Sequence, residues 1–178
     1  MKKLLLLLLT MVLLFSFAAC QSKPVDKDPN GNNQNGETGK NDNLEGSLED
    51  ILAKIYETAE VSDQFREYME AGLQTMEITA EKCAYYLGKE GIEFEEALAS
   101  VPIMSSSAYE LDLVRVKKGA DIEQIKKDIK DNVDPMKWIC VGVDSKNIIV
   151  DNIGDIIILI MSDDEAKALH DAFLALKN

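Results

Sequence analysis

The sequence predicts an α+β domain, a small antiparallel-rich sheet with helices packed on it, preceded by a signal peptide and a disordered linker. Three observations carry this expectation. Composition changes abruptly at Ser47, from polar and glycine-rich to amphipathic. Helical stretches open with Ser-x-x-Asp or Ser-x-x-Glu spacings, where a side-chain oxygen and an acid satisfy the first backbone N–H groups. Short runs rich in Val, Ile and Leu, too short for core helices, fill much of the second half and read as strands.

Taken in order, Ser47-x-x-Asp50 starts a helix whose Leu48, Ile51, Leu52, Ile55 and Ala59 recur at helical spacing. Residues 61–91 contain Phe65, Tyr68, Met69, Leu73 and Met76 in an irregular or helical pattern, then a short helix over 79–87 that Gly88 ends. The stretch 93–104 favours a strand in its second half, because Pro102 blocks a helix running through it. Residues 109–117 form a strand in which Tyr109, Leu111, Leu113, Val114 and Val116 are apolar and Glu110, Asp112 and Arg115 supply largely alternating polar positions. Lys118-Gly119 turns the chain into Asp121-x-x-Gln124, which opens a helix carrying Ile122, Ile125, Ile129 and Val133 until Asp134-Pro135 stops it. Three β-type runs follow, over 138–143, 147–150 and 155–161, and read as a meander. The unbroken apolar run 156–161 implies a strand covered on both faces. Ser162-x-x-Glu165 caps a last helix with Ala166, Leu169, Phe173 and Leu176 on its apolar side.

At the N-terminus, Lys2 and Lys3 precede an apolar run over 4–17 broken only by Thr10 and Ser16, and small Ala18 and Ala19 follow. This pattern is a cleaved export signal over 1–19 rather than a span, which needs about 20 apolar residues. The next four residues matter most. Phe17-Ala18-Ala19-Cys20 resembles the lipobox of bacterial lipoproteins, which implies a diacylglyceryl thioether on Cys20 and a chain held on the extracytoplasmic side of the cell membrane. Two acyl chains suffice for lasting attachment, whereas one gives reversible binding. From Cys20 to Gly46 the composition is Asn, Gly, Asp, Lys, Gln and Pro, with Val25 and Leu44 the clearly apolar exceptions, so this segment reads as a flexible polar linker. A coil of that length reaches roughly 25 to 30 Å, which keeps the single domain over 47–178, and any partner it meets, close to the membrane.

The chain carries 19 Lys and Arg against 32 Asp and Glu, for a net charge of −13. That balance disfavours nucleic acid, whose binding rests on cationic side chains, and disfavours anionic lipid surfaces. It permits cationic partners or Ca²⁺, although no run of oxygen ligands resembles a Ca²⁺ loop. No motif calls for a cofactor or a metal.

One broader resemblance emerges from the motifs together. The lipoprotein signal, the polar linker, Val101-Pro102-Ile103-Met104-Ser105 ahead of Tyr109-Glu110-Leu111-Asp112-Leu113-Val114-Arg115-Val116-Lys117, and the late strand leading into Ser162-Asp163-Asp164-Glu165-Ala166-Lys167-Ala168 resemble the uncharacterised lipoprotein family of low-GC Gram-positive bacteria known as domain of unknown function 4358. The resemblance spans roughly residues 48–176 and implies export and anchoring. It brings no activity and no site residues.

Chemistry-bearing residues are sparse. With Cys20 lipidated, Cys83 and Cys140 remain. An exported location permits a disulfide between them, while two buried thiols are the competing reading. Lone His170, beside Asp171 on the polar side of the last helix, is expected to face solvent. Ser105-Ser106-Ser107 lacks the glycines of a nucleophile elbow and reads as a turn. The adjacent acids Glu95-Glu96 and Asp163-Asp164 are unremarkable among so many carboxylates, and those at 163–165 suit a helix N-terminus. Trp138, Tyr109 and Tyr85-Tyr86 are expected in packing, with a ligand groove as the alternative. These residues point to a non-enzymatic module that binds a protein or ligand at the envelope; the alternative is a lipid-anchored hydrolase, which would need His170 to meet Ser105–Ser107 or several carboxylates in one cleft.

Overall fold

The computed structural model describes residues 43–177. The expected signal peptide, Cys20 and most of the expected linker lie outside the described residues. Among the described residues, five α-helices and a five-stranded antiparallel sheet make up the α+β fold. The order along the chain is α1 (Leu48–Thr58), α2 (Asp63–Ala71), β1 (Leu73–Glu77), α3 (Cys83–Leu87), β2 (Phe94–Pro102), β3 (Glu110–Val116), α4 (Ile122–Asn132), a short 3-10 turn, β4 (Ile148–Ile153), β5 (Ile156–Met161) and α5 (Ala166–Ala175).

Strands lie in the order β1-β2-β3-β5-β4, each antiparallel to its neighbours, which places β3 in the middle with Leu113 opposite Leu98 on one side and Ile158 on the other. Both faces are covered. On one, Leu48, Ile51 and Ile55 of α1 and Leu169 and Phe173 of α5 pack on Leu111, Leu113, Ile158 and Ile160. On the other, Cys83 and Leu87 of α3, Ile129 of α4 and Trp138 pack on Val114, Val116, Ile157 and Leu159. Alternation puts odd and even positions of a strand on opposite faces, so β5 is buried along its whole length, as its unbroken apolar run requires.

Four differences from the sequence reading have physical causes. Residues 61–91 hold a helix and an edge strand: Ser62 caps α2, its Oγ accepting from Phe65 N at 3.3 Å, and β1 pairs with β2 through Leu73 opposite Pro102. The strand expected only in the second half of 93–104 fills Phe94–Pro102, with a register shift between Phe94 and Glu96. No strand forms over 138–143. Trp138 turns into the core, Cys140 adopts φ 61°, outside extended geometry, and Val143 N donates back to the Pro135 carbonyl at 2.9 Å. Finally, Glu110 and Asp112 do not face solvent; both are buried, because the middle strand of a doubly covered sheet has no wet face.

Residues 43–46, polar enough to read as linker, lie against the domain. Arg115 donates to the Leu44 and Gly46 carbonyls at 3.2 and 2.7 Å, and Asp155 N donates to Asn43 Oδ1 at 3.1 Å. The chain therefore enters at the end of the sheet where β3 finishes and β5 starts.

Candidate ligand-binding cleft

At the opposite end, where β3 starts and β5 finishes, a cleft of about 630 Å³ opens between α2 and the β5–α5 turn. The Ser62 cap aligns α2 so that Phe65 and Tyr68, three residues apart, share a face. Their rings lie 5.9 Å apart, and Phe65 meets the ring of Tyr109 edge-on at 5.3 Å. This is the floor.

Tyr109 is held by a hydroxyl chain: it donates to Tyr56 at 2.8 Å, and Tyr56 donates to Ser100 Oγ at 2.7 Å. Burial pushes the Tyr56 phenol up to about 12, partly offset by the bonds to Ser100 and Tyr109, and burial drives Tyr109 well above its ordinary value. Both phenols are therefore neutral at physiological pH and serve as positioned hydroxyls, not nucleophiles. The Tyr68 hydroxyl is buried with no hydrogen-bond partner among the described residues.

The rim is acidic. Ser162 Oγ accepts from Glu165 N at 3.2 Å, and the buried Glu165 carboxylate takes bonds from Ser62 Oγ at 2.6 Å and Ser62 N at 3.3 Å, bridging the two walls. Asp163 Oδ1 accepts from Asp144 N at 2.9 Å and Asn147 Nδ2 at 2.8 Å. Asp164 lines the cleft in an exposed position. Aromatic faces beneath carboxylates attract an organic cation through both charge and ring quadrupole.

A second polar cluster lies within the other face of the sheet. Lys137 Nζ is 2.6 Å from Glu110 Oε1, also donates to the Tyr85 carbonyl at 3.0 Å, and lies within 4.8 to 5.8 Å of the ring centroids of Tyr85, Tyr86 and Trp138. Two residues along β3, the Asp112 carboxylate is fully buried between Ala99 and Leu159 and has no cation of its own. Burial first, then the neighbouring Glu110 charge, raise the Asp112 carboxyl well above its ordinary value; burial also raises Glu110, against the pull of Lys137.

The residues singled out from sequence are scattered. His170 is half-buried rather than free in solvent, its Nε2 2.8 Å from Asp151 Oδ2. Ser105–Ser107 form a turn between β2 and β3, and Ser107 alone of the three lines the cleft, without His170. Glu96 pairs with Arg115 at 2.7 Å. Cys83 and Cys140 are free thiols: Cys83 is buried, its Sγ donating to the Lys89 carbonyl at 3.1 Å, and Cys140 is exposed, so the reading of two buried thiols fits Cys83 alone. Trp138 is core. Sequence reasoning passed over Ser62, Phe65, Tyr68 and Glu165 as functional residues; Ser62-Asp63 was the available signal, a cap followed by a first-turn acid, which aligns the aromatic pair.

Among the described residues, no group of three or more His, Cys, Asp and Glu is arranged to hold a metal ion, and no helix is long and apolar enough to cross a membrane. Set against family models, curated proteins and solved structures, the chain matches none, so the cleft is assigned by its own geometry.

Proposed function

We propose that this protein is a non-enzymatic binding module, tethered outside the cell membrane by lipid on Cys20, whose cleft takes an organic cation. The observation that carries the reading is the pairing of an aromatic floor, Phe65, Tyr68 and Tyr109, with the acidic rim Asp163, Asp164 and Glu165. The serine–histidine meeting a hydrolase would need is not formed, since His170 is given to Asp151. The lipobox-like Cys20 and the lipoprotein-family resemblance support the tether and say nothing of the ligand.

The test is a titration of ¹⁵N-labelled protein with arginine methyl ester at low salt, with glutamate as control. Saturable shifts at Ser62, Tyr109, Asp163 and Asp164, at about millimolar affinity and weakened by salt, are expected. Equal response to glutamate, or none to the arginine ester, would overturn the reading.

A further inference from the structure

The end of the sheet that holds the cleft also carries most of the exposed large apolar side chains. Tyr85, Ile103, Met104, Met136 and Ile139 are each more than half exposed; Leu174 is the one other exposed large hydrophobic among the described residues. These groups are fixed to one another and to the cleft by backbone. Ser107, which lines the cleft, donates its N–H to the Met104 carbonyl at 3.2 Å, and Ile139 N donates to the Ser105 carbonyl at 3.0 Å. The segment bearing Met136 and Ile139 runs on to Asp144, whose N–H donates to Asp163 on the acidic rim. An apolar ridge and an acidic cleft thus form one surface.

Three occupants compete for such a surface, and charge separates them. A membrane is disfavoured, because the rim carboxylates Asp163 and Asp164 would face anionic headgroups. A second copy would bring an identical acidic rim and another net charge of −13. A protein segment carrying Lys or Arg among apolar residues satisfies both parts. Methionines on the ridge suit it, since unbranched thioethers repack around differing partners.

We infer that this end of the domain docks a basic, apolar segment of another protein, with a Lys or Arg side chain in the cleft and neighbouring apolar side chains over Ile103, Met104, Met136 and Ile139. The inference rests on the cation-binding reading of the cleft and adds the class of partner.

The experiment uses full-length protein in phosphatidylcholine nanodiscs to select from a random peptide display library, followed by anisotropy with the enriched peptide. Enriched peptides are expected to place Lys or Arg within a few residues of Leu, Ile, Phe or Trp. Met104→Ser with Ile139→Ser, and separately Asp164→Asn, should each weaken binding about tenfold or more, with unfolding midpoints unchanged because all three side chains are exposed. No enrichment, acidic or uncharged peptides, or binding that ignores the ridge variants would overturn the inference. Binding that needs Asp164 but not the ridge would sink the partner class and spare the cleft, whereas a failed arginine ester titration sinks the cleft reading itself. Ridge-dependent binding to phosphatidylglycerol vesicles, or ridge-dependent self-association in sedimentation, would also overturn it.

Discussion

Lys137 and Glu110 form an ion pair at 2.6 Å with side chains only 4% and 1% exposed, tying the irregular segment after α4 to the first residue of the middle strand. Two buried charges are costly to desolvate, yet removing one partner leaves the other uncompensated. Lys137→Met should therefore lower stability by about 3 to 5 kcal/mol, and adding Glu110→Leu should recover most of it. Urea unfolding of the two variants decides this. A double variant no more stable than Lys137→Met would mean that the rings around Lys137, and not its charge pair, set the cost.

Asp112 gives the opposite prediction. Its carboxyl, raised first by burial and then by Glu110, binds its proton more tightly folded than unfolded. Stability is fully present below the ordinary carboxylate range and falls as pH rises through the raised value. Asp112→Asn removes that decline and should raise stability by about 1 to 3 kcal/mol near neutral pH, with little gain in acid. Thermal unfolding from about pH 4 to about pH 8 checks it; parallel profiles for the two proteins would contradict it.

Gly88 has φ 75° at the end of α3, and a Cβ there would lie 2.3 Å from the Asn132 carbonyl carbon and 2.4 Å from Val133 N. Both the left-handed backbone and the contact with backbone atoms oppose a side chain. Gly88→Ala is expected to cost roughly 2 to 4 kcal/mol, measured by chemical denaturation. Gly119, also at positive φ but with open space around its Cβ direction, should lose only about 1 to 2 kcal/mol on the same change.

The cysteines can be counted chemically. In a Cys20→Ala chain, native protein should react with maleimide at Cys140 and reach Cys83 only on unfolding. Mass spectrometry after labelling reads the result. Absence of labelling at both until a reductant is added would reveal a bridge. The same chain should leave the membrane fraction, and its retention there would argue against the lipid tether.

Much of the fold is legible in the residues, but the cleft is not. α1 and α4 declare themselves through caps and apolar spacing, and the run 156–161 announces a doubly covered strand. That last fact contained a consequence easily missed: a strand buried on both faces needs covered neighbours, so the polar positions of the adjoining strand, Glu110 and Asp112, go inside with it. Trp138–Val143 misleads in the other direction: Trp138 and Val143 fill the core while Ile139 stands exposed, on either side of a left-handed Cys140 that breaks extended geometry. The cleft is assembled from residues about a hundred positions apart, Ser62 and Glu165, and no local pattern marks such a meeting.

The guanidinium of Arg115 grips the carbonyls of Leu44 and Gly46 while pairing with Glu96 on β2 and with Asp155 in the turn between β4 and β5. Mechanically, this is a strain relief. A pull applied ahead of Asn43 would be shared among β2, β3 and the β4–β5 turn before it reached α1. Tyr56, the α1 residue whose hydroxyl positions Tyr109, lies beyond this clamp, so a pull applied ahead of Asn43 would meet Arg115 before it met the cleft.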